Sequence, residues 1–208
     1  MMIKQEMDQF LEVLSSSAPV PGGGGACGYV AAVGMSLGNM VLSLTTGKKK
    51  YAQYQEEVER LIEEATELTK ELSECMDKDA KAFEPLSKAY GLPRETEEQI
   101  KYRTEVMEKA LFTASEAPLA MMKKILQAIE MIERIAEIGN RIAISDAGVG
   151  VEMCKAALNG AALNVFINTK MMKKRETADK MNAEAEQLLE KGNQIADAVY
   201  QRVFDAVR

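Results

Sequence analysis

The chain has 208 residues, a formal net charge of −6, 47% hydrophobic and 5% aromatic residues, and no histidine. That length suits one domain with a full hydrophobic core, and the acidic balance argues against general binding of a phosphate backbone. Without histidine there is no Ser-His-Asp or Cys-His catalysis and no His-ligated metal site, so proton transfer falls to carboxylates, Lys, Tyr, Cys or water. Cys27, Cys75 and Cys154 are odd in number and widely spaced, which fits reduced thiols in a cytoplasmic protein.

Residues 3–15 read as a short amphipathic helix with Ile3, Met7, Phe10, Leu11 and Leu14 on one face. Pro19, Pro21 and the glycines Gly22 to Gly25 then form a turn. From Ala26 to about Thr45 the chain carries no charge. This stretch is long enough to span a membrane and contains Gly34-x-x-x-Gly38, but its other glycines, Ser36, Asn39 and Ser43 suit a helix buried on all sides of a bundle. Gly47 is placed to end it.

A long helix is predicted from Tyr51 to about Tyr90, striped by Val58, Leu61, Ala65, Leu68, Leu72, Cys75 and Met76, with Asp79 in a gap of the stripe. Pro85 should kink it. Residues 94–116 form another helix, and a further one begins near Pro118. Gly139-Asn140 marks a turn, Ile142 to Asn168 is a second weakly charged helix, and a last one starts at about Glu176. The expected fold is all-α, a single domain over 1–208: a bundle of about six or seven helices around a buried Gly/Ala-rich helix.

Several groups on this frame suit chemistry. Gly23, Gly25 and Gly28 match G-x-G-x-x-G in form, but no strand precedes them and Lys48 to Lys50 occupy the region where a ribose-binding acid would stand. What remains is a Gly-rich turn opening a helix, whose free N–H groups either bind an anion or polar heterocycle or merely permit close packing. Lys48, Lys49 and Lys50 are either solvated or hold a polycarboxylate. A carboxylate on a buried stripe, Asp79, must be paired, face a cavity or lie at a subunit interface. Ser145 and Asp146 stand where a helix begins, as a cap or as functional groups. Asn164 and Asn168, four apart on an apolar helix, either bond other helices or read a ligand's polar edge.

In chain order, Ser17-Ala18-Pro19-Val20-Pro21-Gly22-Gly23-Gly24, Gly47-Lys48-Lys49-Lys50-Tyr51, Asp79-Ala80-Lys81-Ala82-Phe83, Ser145-Asp146-Ala147-Gly148-Val149 and Gly160-Ala161-Ala162-Leu163-Asn164-Val165-Phe166-Ile167-Asn168 together resemble the cyclodeaminase/cyclohydrolase family. That family comprises the C-terminal domain of formiminotransferase-cyclodeaminase and stand-alone bacterial methenyltetrahydrofolate cyclohydrolases. The resemblance implies a helical, cytoplasmic homodimer acting on a tetrahydrofolate derivative, with no metal or other cofactor and no nucleic-acid or membrane partner. The reaction it implies first is closure of 5-formiminotetrahydrofolate to 5,10-methenyltetrahydrofolate with release of ammonia. The alternative is hydrolysis of the methenyl compound to 10-formyltetrahydrofolate, and a different alternative is a non-catalytic folate-binding or scaffold protein. For that chemistry, the placement of Asp146 and Asp79 on weakly charged helices makes Asp146 the expected principal acid/base and Asp79 the expected support of the pterin or the cation. Gly22, Gly23, Gly24, Ser145, Asn164 and Asn168 bind substrate, and Lys48, Lys49 and Lys50 meet its glutamate tail. Gly25 stands where the family usually has Ser, so any role of that hydroxyl is lost.

Overall fold

The computed structural model describes residues 7–208; Ile3 of the first expected helix lies outside them. Among the described residues there are six α-helices and no strands: α1 (Met7–Leu14), α2 (Gly22–Ser43), α3 (Gln55–Tyr90), α4 (Glu97–Ile138), α5 (Ile144–Thr169) and α6 (Arg175–Val207). Two 3-10 turns, Lys49–Tyr54 and Arg141–Ala143, lead into α3 and α5. The short α1 seats Phe10 against Tyr29 of α2, ring centroids 5.2 Å apart.

The glycines expected to form a turn are instead the first turn of α2, which begins at Gly22. Only Gly22 departs from helical geometry, with φ +55°, and Gly23 and Gly24 are small enough for α5 and α3 to close over them. α2 ends as expected: Gly47 takes φ +71°, and its N–H donates to Gln55 Oε1 at 2.9 Å.

α2 and α5 lie side by side and antiparallel. Near the middle of the pair the backbones touch: a Cβ on Gly34 would lie 2.6 Å from the Gly150 carbonyl oxygen, and one on Gly150 would lie 2.6 Å from the Gly34 carbonyl. α3 and α4 cover the other sides of α2, and α4 and α6 those of α5. The centre is filled by α4, where Ile125, Ile129, Ile132 and Ile135 are inaccessible to solvent. α2 is not buried on all sides, however. Met40 and Leu44 are exposed and Val30, Val33 and Leu37 half-buried, a stripe at steps of three and four that no described element fully covers. By length and composition α2 is the one described helix able to cross a membrane, yet it packs within the bundle.

The break expected near Pro118 is absent, and α4 runs through it. Proline has no N–H to give the carbonyl four residues back, which would leave a buried acceptor unpaired. Here Asn168 of α5 supplies the donor: its Nδ2 donates to the Ala114 carbonyl at 2.9 Å. A side chain from the neighbouring helix thus pairs the carbonyl that the proline leaves open. α3 likewise continues past Pro85 to Tyr90.

Gly34→Ala forces the α2/α5 pair apart. We expect a loss of about 1–3 kcal/mol of unfolding free energy, measured by urea denaturation; unchanged stability would show that the pair tolerates separation.

Candidate active site

The antiparallel pairing of α2 and α5 sorts the expected site residues into two groups at opposite ends of the bundle. At one end stand the start of α2, the later part of α5 and the middle of α3. Both amide heavy atoms of Asn164 lie 3.6 Å from where a Cβ on Gly23 would be. A Cβ on Gly24 would collide with the carboxylate of Asp79. Asp79 thus lies directly on the first turn of α2, where helical N–H groups lack intrahelical partners. Cys27, one turn further along, has its sulfur against Gly160 of α5.

The electrostatics of this corner are unusual. Asp79 is largely buried, and burial pushes its pKa up from 3.8 to about 6. Among the described residues no cation pairs with it. Burial first, and then the neighbouring Asp79, push the Cys27 thiol up to about 11, so Cys27 is a neutral wall rather than a nucleophile. Asn164 donates through Nδ2 to the Gly160 carbonyl at 2.9 Å, which fixes its plane and leaves its Oδ1 available. A carboxylate that gains and loses a proton near neutrality, next to free backbone donors and an amide, can move protons and hold a polar heterocycle.

The space beside Gly25 is filled by Pro21: a Cβ there would lie 2.6 Å from the proline Cβ. In this arrangement a side chain at Gly25 would require Pro21 to shift. Asn168 is committed to the proline-freed carbonyl of Ala114, so its amide N–H group bonds another helix, the first of its two expected uses.

At the other end lie Lys48, Lys49 and Lys50, all exposed, with Ser145 exposed and Asp146 half-buried in the first turn of α5. Ser145 and Asp146 do not cap α5. The chain enters through the 3-10 turn, and Asn140 caps that turn, accepting from Ile142 N at 3.1 Å. The loop is firmly held. Asn140 N donates to Thr45 Oγ1 at 2.8 Å, Asn140 Nδ2 to the Leu44 carbonyl at 2.8 Å and Arg141 N to Tyr51 Oη at 3.0 Å.

Asp146 and Asn164 are separated by five turns of α5, about 27 Å at 1.5 Å per residue. General acid/base groups must lie within about 3 Å of the proton they move. Within one chain, Asp79 and Asp146 therefore cannot serve the same reacting atoms. Cys27, Gly160 and Pro21 complete the Asp79 corner and were missed as site residues. The step of four from Gly160 to Asn164 was the available signal for one of them.

The family model described as Formiminotransferase-cyclodeaminase matches residues 6–187. A methenyltetrahydrofolate cyclohydrolase from Methylorubrum extorquens is 38% identical over 98% of both chains. Formimidoyltransferase-cyclodeaminase from Gallus gallus is 29% identical over 90% of this chain, which spans 34% of that longer protein. The crystal structure of formiminotetrahydrofolate cyclodeaminase from Thermotoga maritima superposes with a TM-score of 0.81 at 28% identity, covering 98% of this chain and 96% of that one.

The raised pKa of Asp79 makes a stability prediction. Because its folded pKa lies above the ordinary value, folding disfavours the ionised form: stability is full below pH 3.8 and falls as pH rises through about 6. Asp79→Asn should therefore stabilise the protein at pH 8 by on the order of 1–2 kcal/mol, with the gain vanishing at pH 4. A variant that melts below the parent at pH 8 would contradict this.

Proposed function

Because the chain belongs to the formiminotransferase-cyclodeaminase family, we propose that it is an enzyme of tetrahydrofolate one-carbon chemistry, opening or closing the carbon bridge between N5 and N10. The observation that carries this reading is Asp79, a largely buried carboxylate with no cation paired to it among the described residues, seated on free backbone donors beside an oriented amide.

The leading reaction is hydrolysis of 5,10-methenyltetrahydrofolate, supported by the similarity to a stand-alone cyclohydrolase along the whole chain. Water adds to the cationic methenyl carbon while Asp79 takes one of its protons. A tetrahedral carbon results. The bond to N5 then breaks as N5 receives the proton, the remaining hydroxyl gives up its own, and 10-formyltetrahydrofolate forms with net release of one proton. Backbone N–H groups of Gly22 to Gly24 suit the developing oxygen charge, and Asn164 suits the polar edge of the pterin. Oxidation state does not change at any step, so the reaction calls for no redox cofactor.

The similarity to the Thermotoga cyclodeaminase structure supports a second reading. There N10 adds to the formimino carbon, and Asp79 carries the N10 proton to the departing nitrogen, which leaves as ammonia. In both reactions Asp79, rather than Asp146, moves the proton, because its environment raises its pKa toward the working range.

Asp146 and the three lysines enter through a second subunit. α5 carries an exposed stripe in which Val149, Leu163 and Ile167 are 53%, 68% and 57% exposed, and it adjoins the open stripe of α2. In our reading this continuous apolar face meets its copy in a cytoplasmic homodimer. A two-fold axis perpendicular to the α2/α5 pair sets the Lys48–Lys50 end of one subunit against the Asp79 corner of the other. Asp146 then stabilises the cationic bridge and the lysines meet the glutamate carboxylates.

An absorbance assay for methenyltetrahydrofolate separates the reactions: loss of the compound in water marks hydrolysis, and its appearance with ammonia from the formimino substrate marks deamination. Asp79→Asn should lower kcat about 10²–10⁴-fold. Since the base must be ionised, parent kcat/KM should fall as pH drops below about 6; a full rate with Asp79→Asn would overturn the role.

Shared sites predict complementation. Asp79→Asn subunits mixed and refolded with subunits carrying Asp146→Asn and glutamine at positions 48–50, each inactive alone, should recover about one quarter of parental activity, since half the dimers are mixed and each holds one intact site. No recovery would exclude a site shared in this way.

A further inference from the structure

We propose that the cavity next to Asp79, between the Pro19–Val20 segment and the α3 turns after it, binds the p-aminobenzoyl arm of the substrate, with Lys81 receiving its first carboxylate. The proposal rests on the reading of the chain as a folate enzyme.

The cavity has a volume of about 300 Å³, with walls from Pro19, Val20, Ala80, Lys81, Phe83 and Ser87 among its lining residues. That is at the small end for a ligand site, enough for an aromatic ring but not for a pterin, ring and amino acid together. Its position is set by the same two segments that build the acid/base corner. Val20 leads through Pro21 into the glycine turn beneath Asp79, and Ala80 follows Asp79 directly. The substrate's own connectivity asks for such a place. The aryl ring is bonded to N10, one of the two nitrogens on the reacting carbon, so with that carbon at Asp79 the ring must lie immediately alongside.

The chemistry of the walls agrees. Half-buried Phe83 and Val20, with the exposed Pro19, give apolar contact for a ring face. Lys78 is paired with Glu74 at 3.2 Å and Lys88 with Glu84 at 2.6 Å. Lys81 has no such partner among the described residues, which leaves its ammonium for an incoming carboxylate. Pro85 has no N–H, so the Lys81 carbonyl also lacks its helical donor four residues on.

The probe is N-(p-aminobenzoyl)-L-glutamate, which carries the arm without the pterin, titrated by calorimetry into the full chain and tested as an inhibitor of methenyltetrahydrofolate turnover. Ser87→Trp fills the cavity from a half-buried position. We expect it to weaken probe binding and raise the KM for folate at least about tenfold, a change of 1.4 kcal/mol, with kcat little altered and the thermal melt retained. Lys81→Gln, a surface change that leaves the walls in place, should weaken the glutamate conjugate while leaving p-aminobenzoate binding unchanged. Parental probe affinity in both variants, or no probe binding to the parent, would overturn the assignment. Absence of turnover by the parent on either folate substrate would instead overturn the functional reading, which the calorimetry does not depend on.

Discussion

The contact on which the rest of the molecule depends is the backbone approach of α2 to α5 at Gly34 and Gly150. Two helices with ordinary side chains there would stand further apart. At this separation Gly160 meets Cys27, Gly23 meets Asn164, and the whole length of α5 lies along α2. The same closeness explains how an uncharged helix can belong to a bundle: its small residues serve the packing, and only its outer stripe is left for another surface.

That packing also makes the Asp79 corner possible. A carboxylate seated on a helix start would ordinarily gain from the N-terminal dipole. Here burial sets the direction of the shift, and the pKa rises to about 6. The direction of the shift is what matters for function, since a group tuned toward neutrality is both a usable base and a usable acid. The glycine beneath it is required by space, because any side chain on Gly24 would occupy the volume of the carboxylate. Site and fold therefore constrain one another at a single residue pair.

Proline and its compensation show a second level of organisation. Pro118 would interrupt α4 if local propensity alone decided. Asn168, from a helix 50 residues later in the chain, supplies the donor that the proline lacks. A polar side chain that local pattern reads as a ligand contact is thus partly committed to holding the longest helix together. Pro85, exposed on α3, has no such helper among the described residues, and α3 continues past it to Tyr90.

The sequence by itself determined the all-helical class, the placing of the long and final helices, the end of α2 at Gly47 and the family. These depend on side-chain periodicity, on glycine's freedom at positive φ and on motifs in fixed order, all local in the chain. It also singled out Asp79, because a charge breaking an apolar stripe is visible in one dimension. Only the tertiary structure decided that Gly22 to Gly25 open a helix rather than form a turn, that α4 passes through Pro118, and that Asn168 serves the fold. It alone showed that the two candidate carboxylates stand at opposite ends of the bundle. The reason is physical: these outcomes turn on which helix lies against which, and an antiparallel pairing of distant segments leaves no mark on the local pattern of either.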